Sequence, residues 1–196
     1  MEFDVIIGGV GGQGTVLASR LLGAAAIEAG YFVRTAETIG MAQRGGCVTS
    51  HVRISSQDAG SVIPLKNADL LLGFEMGEVV RNFNRLSPTG KCIVNKYWIN
   101  SVPVSLGLAA YHYKDIEKFI SEHIPNVHYV DAHSLAIEAG TSKAVNVVML
   151  GAAFGLEMLP VTQDLMEEII GQHVKEKYID LNIKAFRLGL NAIQTR

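Results

Sequence analysis

The stretch that most constrains this chain is Phe3 to Gly14, FDVIIGGVGGQG, with the helix-forming segment Thr15 to Ala29 directly behind it. Val5 to Ile7 make an apolar run suited to a short buried strand, and the glycines after it let the backbone turn tightly with no Cβ in the way. A strand, a glycine turn and a helix in that order open a Rossmann-like unit. The expected class is therefore α/β, a mostly parallel sheet flanked by helices in three layers.

The spacing Gly9-Val10-Gly11-Gly12-Gln13-Gly14 satisfies GxGxxG. Amides at such a helix N-terminus can hold a phosphate because several of them lack partners inside the helix. A dinucleotide site also needs an acid about 20 positions further on, to take the ribose hydroxyls. The second expected strand, Tyr31 to Thr35, offers Arg34 and Thr35 there, with Glu37 slightly beyond. The missing acid argues against an NAD site. Two readings of the turn stay open: an anion or cofactor cradle built by Gly9, Gly11, Gly12, Gln13 and Gly14, and a tight turn that serves packing or subunit contact.

Glu37 to Gly46, ETIGMAQRGG, breaks the periodicity and reads as a loop at the carboxyl edge of the second strand, the edge where open α/β sheets bind ligands. Arg44 precedes Gly45 and Gly46, and a guanidinium beside free amides suits an anion or a partner carboxylate. A solvated arginine beside turn glycines is the other reading. Cys47 to Ser55 alternates as a strand with two unlike faces, His51 and Arg53 on one of them. Ala68 to Phe74, ADLLLGF, is a continuous apolar run suited to a parallel strand buried on both faces.

Further along, Glu75 to Leu86 reads as a helix, Ser87-Pro88-Thr89-Gly90 as a turn, and Lys91 to Asn95 as a strand. Asn100 to Gly107 has a proline at its centre and reads as an extended connection or edge strand. Helices are expected at 116–123, 134–139, 143–156, after a Thr162 cap, and at 181–193, with a strand at 127–131. Repetition of strand, helix, strand implies right-handed crossovers and a mostly parallel sheet. No repeat, low-complexity tract or linker divides residues 1–196, so one domain is expected.

With 17 basic and 19 acidic side chains the formal net charge is −2, which gives no strong field for nucleic acid or an anionic membrane surface. Charged residues make up 18% of the chain against an average of about 25%, and hydrophobic ones 48%. That balance predicts apolar surface for a partner subunit or a second copy to cover. Cys47 and Cys92 are too few for an iron–sulfur cluster or a zinc site, so no metal is expected here. The longest apolar run, Val147 to Leu156, is well short of the roughly 20 residues that span a bilayer. A cytoplasmic, soluble protein with no membrane segment is the expectation.

No nucleophile elbow, zinc signature or Gly-Lys-Ser/Thr phosphate loop occurs. His128, Asp131 and His133 fall close together, with strand-end and helix-cap roles as the ordinary reading. Glu75, at the end of a buried strand, is a carboxylate for catalysis or for a helix N-terminus. Tyr97 and Trp98 suit packing or an interface.

Taken together, GGVGGQGTVLASRLLGAAAIEAGYFVRTAETIGMAQRGGCVTSHVRIS, ADLLLGFE, and PTGKCIVN before VPVSLG resemble the gamma-type subunit or domain of the 2-oxoacid:ferredoxin oxidoreductases. Within that group the chain looks most like the small (beta) subunit of the indolepyruvate type, and the resemblance covers most of its length. The resemblance implies thiamine-diphosphate-dependent oxidative decarboxylation of a 2-oxoacid, with electrons passed to ferredoxin and the acyl group to coenzyme A. It also implies that thiamine diphosphate and the iron–sulfur clusters sit on a large partner subunit, with coenzyme A as co-substrate. This chain would then be an accessory subunit, inactive alone, holding no cofactor firmly and contributing no catalytic residue; isolated, it could pair as a homodimer. Its implied contributions are Gly11 to Gly14 and the loop carrying Glu37, Met41, Gln43, Arg44, Gly45 and Gly46. Indolepyruvate or another aryl pyruvate is the implied substrate, with pyruvate, 2-oxoglutarate and branched-chain oxoacids served by related subunits. An independent nucleotide-binding protein using GVGGQG is the competing reading.

Overall fold

The computed structural model describes residues 2–40, 42 and 45–194. In chain order these form β1 (Glu2–Val10), α1 (Thr15–Glu28), β2 (Phe32–Ile39), β3 (Cys47–Ser55), β4 (Ala68–Gly73), α2 (Met76–Asn82) and β5 (Leu86–Asn95). There follow α3 (Val102–Ser105), α4 (Tyr113–His123), β6 (Val127–Val130), α5 (Ala132–Ala139), α6 (Val145–Gly155), α7 (Gln163–His173) and α8 (Ile179–Gln194). One sheet runs in the order β2-β3-β1-β4-β5-β6. The pairs β1–β4, β4–β5 and β5–β6 are parallel, whereas β3 runs antiparallel to both β1 and β2.

Alternation along the central strands divides the core between two faces. Val5, Ile7, Leu70, Leu72 and Ile93 point into one cluster with α1, α5, α6, α7 and α8. Ile6, Leu71, Cys92 and Val94 point into the other, under α2 and α4. Successive strand side chains face opposite ways, so a strand covered on both sides must be apolar at every position, which is why LLLG carries no alternation. On the larger face α6 and α8 pack at backbone contact: a Cβ added at Gly151 would lie 1.9 Å from the Phe186 carbonyl oxygen, and one at Gly189 1.9 Å from that of Val148.

Four local expectations change. The second strand does not stop at Thr35 but continues to Ile39, because β2 and β3 pair over eight residues from Phe32↔Ser55 to Ile39↔Val48. Glu37 therefore lies in a strand rather than in a loop. Ser87 to Gly90 belong to β5 and not to a turn; the register shifts between Ala68 and Leu70, and the irregularity accommodates Pro88. The helix before it ends at Asn82, with a single 3-10 turn at Phe83–Arg85. Within 100–107 the backbone is helical at Val102–Ser105, where Pro103 occupies an early helical position that needs no N–H.

Candidate functional site

The site lies at the carboxyl edge of the sheet. There α1 leaves β1 toward the larger face and α2 leaves β4 toward the smaller one. Adjacent parallel strands whose helices depart to opposite faces leave a crevice between them, the usual ligand position in open α/β sheets.

Two side chains tie the strand ends around this crevice. Gln13 accepts from the Val10 N–H at 2.7 Å and donates to the Phe74 carbonyl at 2.9 Å. Asn95 donates to the same carbonyl at 3.1 Å and accepts from the Ala132 N–H at 3.1 Å. The ends of β1, β4, β5 and β6 are thus held by two amide side chains, and Gln13 has a positioning role inside the chain. Asn95 carries no motif in the sequence; its one signal there is a polar residue closing the apolar run Cys92 to Val94.

The two stretches singled out in the sequence come together here. The Gly11 N–H donates to the Gly46 carbonyl at 2.8 Å, and the Gly45 N–H to the Gly11 carbonyl at 3.4 Å. Gly11 is therefore engaged by the neighbouring loop on both its polar groups. Glu37 joins the same edge, accepting from the Ser19 hydroxyl at 3.2 Å. Met41, Gln43 and Arg44 lie outside the described residues.

Past this contact, α1 begins without a side-chain cap among the described residues: Gly14 is the N-cap, and no acid stands in the first turn. Gly14 has φ of 79°, and a Cβ there would lie 2.8 Å from Nδ2 of the buried Asn146. Beside it opens a cavity of about 160 Å³ lined by residues including Gly12, Gln13, Asn95, Tyr97, His133 and Lys143. Tyr97 and His133 stack with ring centroids 4.8 Å apart. A lysine and an uncapped helix start stand around this small cavity, an arrangement that favours an anion.

On the smaller face Glu75 is the N-cap of α2, accepting from the Glu78 N–H at 3.1 Å and from the Tyr111 hydroxyl. Its carboxyl is buried, which raises its pKa above the ordinary carboxylate range. Glu78, also buried, accepts from Arg81 at 3.0 Å, while its Oε2 has no partner among the described residues. Cys47 borders Glu78, and burial chiefly pushes its thiol pKa up. Asp131 caps α5 through the Ser134 N–H and hydroxyl, at 3.1 and 2.7 Å, and those bonds hold its pKa down. That is the helix-cap role expected of it. Among the described residues no group of three or more His, Cys, Asp or Glu could hold a metal ion, and Cys92 is fully enclosed in the core. The donors present do not fit an iron–sulfur cluster. No described helix is long and apolar enough to cross a membrane.

The fold and this edge define a Rossmann-like α/β domain with a crevice at its switch point. Residues 4–192 match the pyruvate ferredoxin/flavodoxin oxidoreductase family, and the chain belongs to that family. It is 40% identical over 193 residues to indolepyruvate oxidoreductase subunit IorB of Pyrococcus horikoshii, covering 97% of this chain and 96% of that one. With pyruvate synthase subunit PorC of Methanothermobacter thermautotrophicus the identity is 28% over 188 residues, 95% of this chain and 93% of the relative. The fold matches the gamma subunit of a keto/oxoacid ferredoxin oxidoreductase from Geobacter sulfurreducens, with a TM-score of 0.74, 22% identity and 99% of both chains covered.

Proposed function

We propose that this chain is the accessory subunit of a 2-oxoacid:ferredoxin oxidoreductase acting on indolepyruvate or a similar aryl pyruvate. The observation that carries the proposal is the 40% identity to an indolepyruvate oxidoreductase subunit across nearly the whole of both chains, against 28% to a pyruvate synthase subunit. A large companion polypeptide supplies thiamine diphosphate and the iron–sulfur clusters, in keeping with a chain that carries only two cysteines, Cys47 and Cys92. Coenzyme A, when bound, supplies the thiol that takes the acyl group. The residues of this chain fit its phosphates: the uncapped start of α1 lies beside Gly12, the Gln13 N–H being taken by the Val10 carbonyl at 3.1 Å, and Lys143 lines the same cavity. Gly11, Gly45 and Gly46 hold the two loops together beside that position. The Arg44 loop serves the same contact or the partner.

Co-purification from the native host followed by a panel of 2-oxoacids tests the reading. An accompanying thiamine- and cluster-bearing polypeptide, with ferredoxin reduction faster on indolepyruvate than on pyruvate, 2-oxoglutarate or branched-chain oxoacids, is the expected result. A chain that purifies alone and binds NAD(P)H or FAD below millimolar concentration overturns it in favour of an independent nucleotide-binding protein. In the assembled enzyme Lys143→Ala is expected to raise the KM for coenzyme A about three- to tenfold with little change in kcat.

A further inference from the structure

Glu75 stands where a helix needs a cap, yet it is not a residue that capping favours. Ser, Thr, Asp and Asn hold that position best, because their short side chains reach the N–H two or three residues on. Glu75 does accept from the Glu78 N–H, at 3.1 Å through Oε2. Its greater length also takes Oε1 to a second partner 36 residues further along the chain, the Tyr111 hydroxyl.

The surroundings are built for that reach. Glu75 is 3% exposed, and Gly77 lies over its bond to Tyr111: a Cβ there would come within 2.9 Å of the Tyr111 hydroxyl oxygen and 3.0 Å of Glu75 Oε2. A side chain at 77 would crowd the hydroxyl that makes the bond. Burial raises the pKa of this carboxyl, while the bonds from Tyr111, the Glu78 N–H and the Ile99 N–H act against that rise. A carboxylate taken out of water needs its partners, and these belong to α2 and to the segment between β5 and α4.

The segment so held forms one wall of the candidate site. At its root the Met76 N–H donates to the Tyr97 carbonyl at 3.2 Å, so two neighbouring residues, Glu75 and Met76, grip it together. Tyr97 and Ile99 line the cavity that Gly12, Gln13, His133 and Lys143 also line. At the far end Tyr111 packs on Tyr113 with 4.7 Å between ring centroids, and Tyr113 on Trp98 at 4.9 Å, which leads back to the residue between Tyr97 and Ile99. From Tyr97 to Tyr111 the chain has no buried residue and no Asp, Glu, Lys or Arg, so neither a core side chain nor an ion pair of its own fixes it. Glu75 supplies the fixed point.

We propose that Glu75 is a positioning residue for the use of coenzyme A: by holding Ile99 and Tyr111 it sets where Tyr97 and Ile99 stand in the cavity wall, without itself touching the co-substrate. This rests on the functional reading above. The test compares Glu75→Asp with Tyr111→Phe in the assembled enzyme. Aspartate keeps the cap and draws the carboxylate back by about 1.5 Å, away from Tyr111. Phenylalanine keeps the ring and removes the hydroxyl. Each is expected to raise the KM for coenzyme A about three- to tenfold with kcat within about twofold, and the two together no more than either alone, because both break one contact. A role as cap alone predicts no change for Glu75→Asp. Trp98, the single tryptophan of the chain, gives a readout that does not depend on activity: in the full chain without its companion both variants should shift its emission to the red and make it easier to quench with acrylamide, while circular dichroism stays as in the parent. Unchanged Trp98 emission and quenching, or an unchanged KM for coenzyme A in an active assembly, overturns the assignment. Tyr111→Phe, which leaves the cap untouched, decides alone if Glu75→Asp does not assemble. A parent assembly whose turnover does not depend on coenzyme A overturns the functional reading and the co-substrate named here with it, and the Trp98 comparison still decides whether Glu75 holds the segment.

Discussion

The two edges of the sheet handle polar groups in opposite ways. At the amino edge, Arg53 donates to the fully buried Asp4 at 2.8 Å and to the Gly60 carbonyl at 3.1 Å, and also reaches Glu2. Asn67 donates to the other oxygen of Asp4 at 2.7 Å, and Asp69 accepts the Asp4 N–H at 2.8 Å. His51 accepts the Ile63 N–H at 3.1 Å, stitching the 56–67 connection over the sheet. The carboxyl edge instead keeps, among the described residues, an uncapped helix start, an oxygen on Glu78 with no hydrogen-bond partner, and an uncharged exposed segment between β5 and α4. One end closes on itself, and the other leaves its partners to come from outside.

The largest expected effect lies at the closed end. Arg53→Met leaves the Asp4 carboxylate buried without its cation, and breaking a buried pair from one side costs about 3–5 kcal/mol. For a chain of this size that corresponds to a thermal midpoint lower by roughly 6–20 °C. Retention of the companion by the folded fraction should stay as in the parent. A midpoint within about two degrees of the parent would show that the amino edge is not a sealed network, and the contrast would collapse.

A smaller effect is expected at the open end. Gly14→Ala puts a side chain at φ of 79° and drives its Cβ toward Asn146, which together cost about 1–3 kcal/mol. Adding Asn146→Ala removes the contacts at 2.8 and 3.1 Å but leaves the Asn146 Cβ position at 3.2 Å and the backbone strain, so denaturant titration should show only partial recovery. Coenzyme A dependence of the assembled enzyme should weaken in the single variant by more than its stability loss explains. An equal effect on stability alone would move the glycine turn from binding to packing.

How far this division is legible in the sequence follows from the range of each signal. GVGGQG, the buried run ADLLLGF and the Thr162 cap are local patterns, and the helices and parallel strands they predict are present. The antiparallel direction of β3 is set by pairing with β1 and β2, which no local pattern in CVTSHVRIS records. Pro88 reads as a turn because its neighbours are turn residues, yet a bulge in β5 accommodates it once Ala68 pairs with Leu86. At the site, Gln13 and the Gly11 turn are visible from spacing, whereas the contact of Gly11 with Gly45 and Gly46 joins residues far apart in the chain. Tyr111, Lys143 and Asn146 reach this edge from distant elements and carry no motif, and the segment between β5 and α4 reads as a plain connection until its exposure is known.

The smallest effect concerns how tightly the amino edge excludes protons. Burial, followed by the charge of Arg85, lowers the His51 pKa from 6.5 to about 4; Asp4 opposes this and Arg53 adds to it. The folded imidazole binds a proton less readily than the unfolded one, so below pH 6.5 the unfolded chain takes up more protons and stability falls with pH, the loss ending near pH 4. Glu75 and Asp69, whose pKa values are raised chiefly by burial, act in the opposite direction as acid is added. His51→Gln keeps an acceptor for the Ile63 N–H and removes the titration, so the difference between parent and variant isolates the imidazole. That difference should shift by up to about 1 kcal/mol between pH 6.5 and 5.5 in urea unfolding, with the parent losing ground. A flat difference would mean that His51 takes its proton in the folded state as easily as in the unfolded one, and the amino edge would then be as open to water as the carboxyl edge.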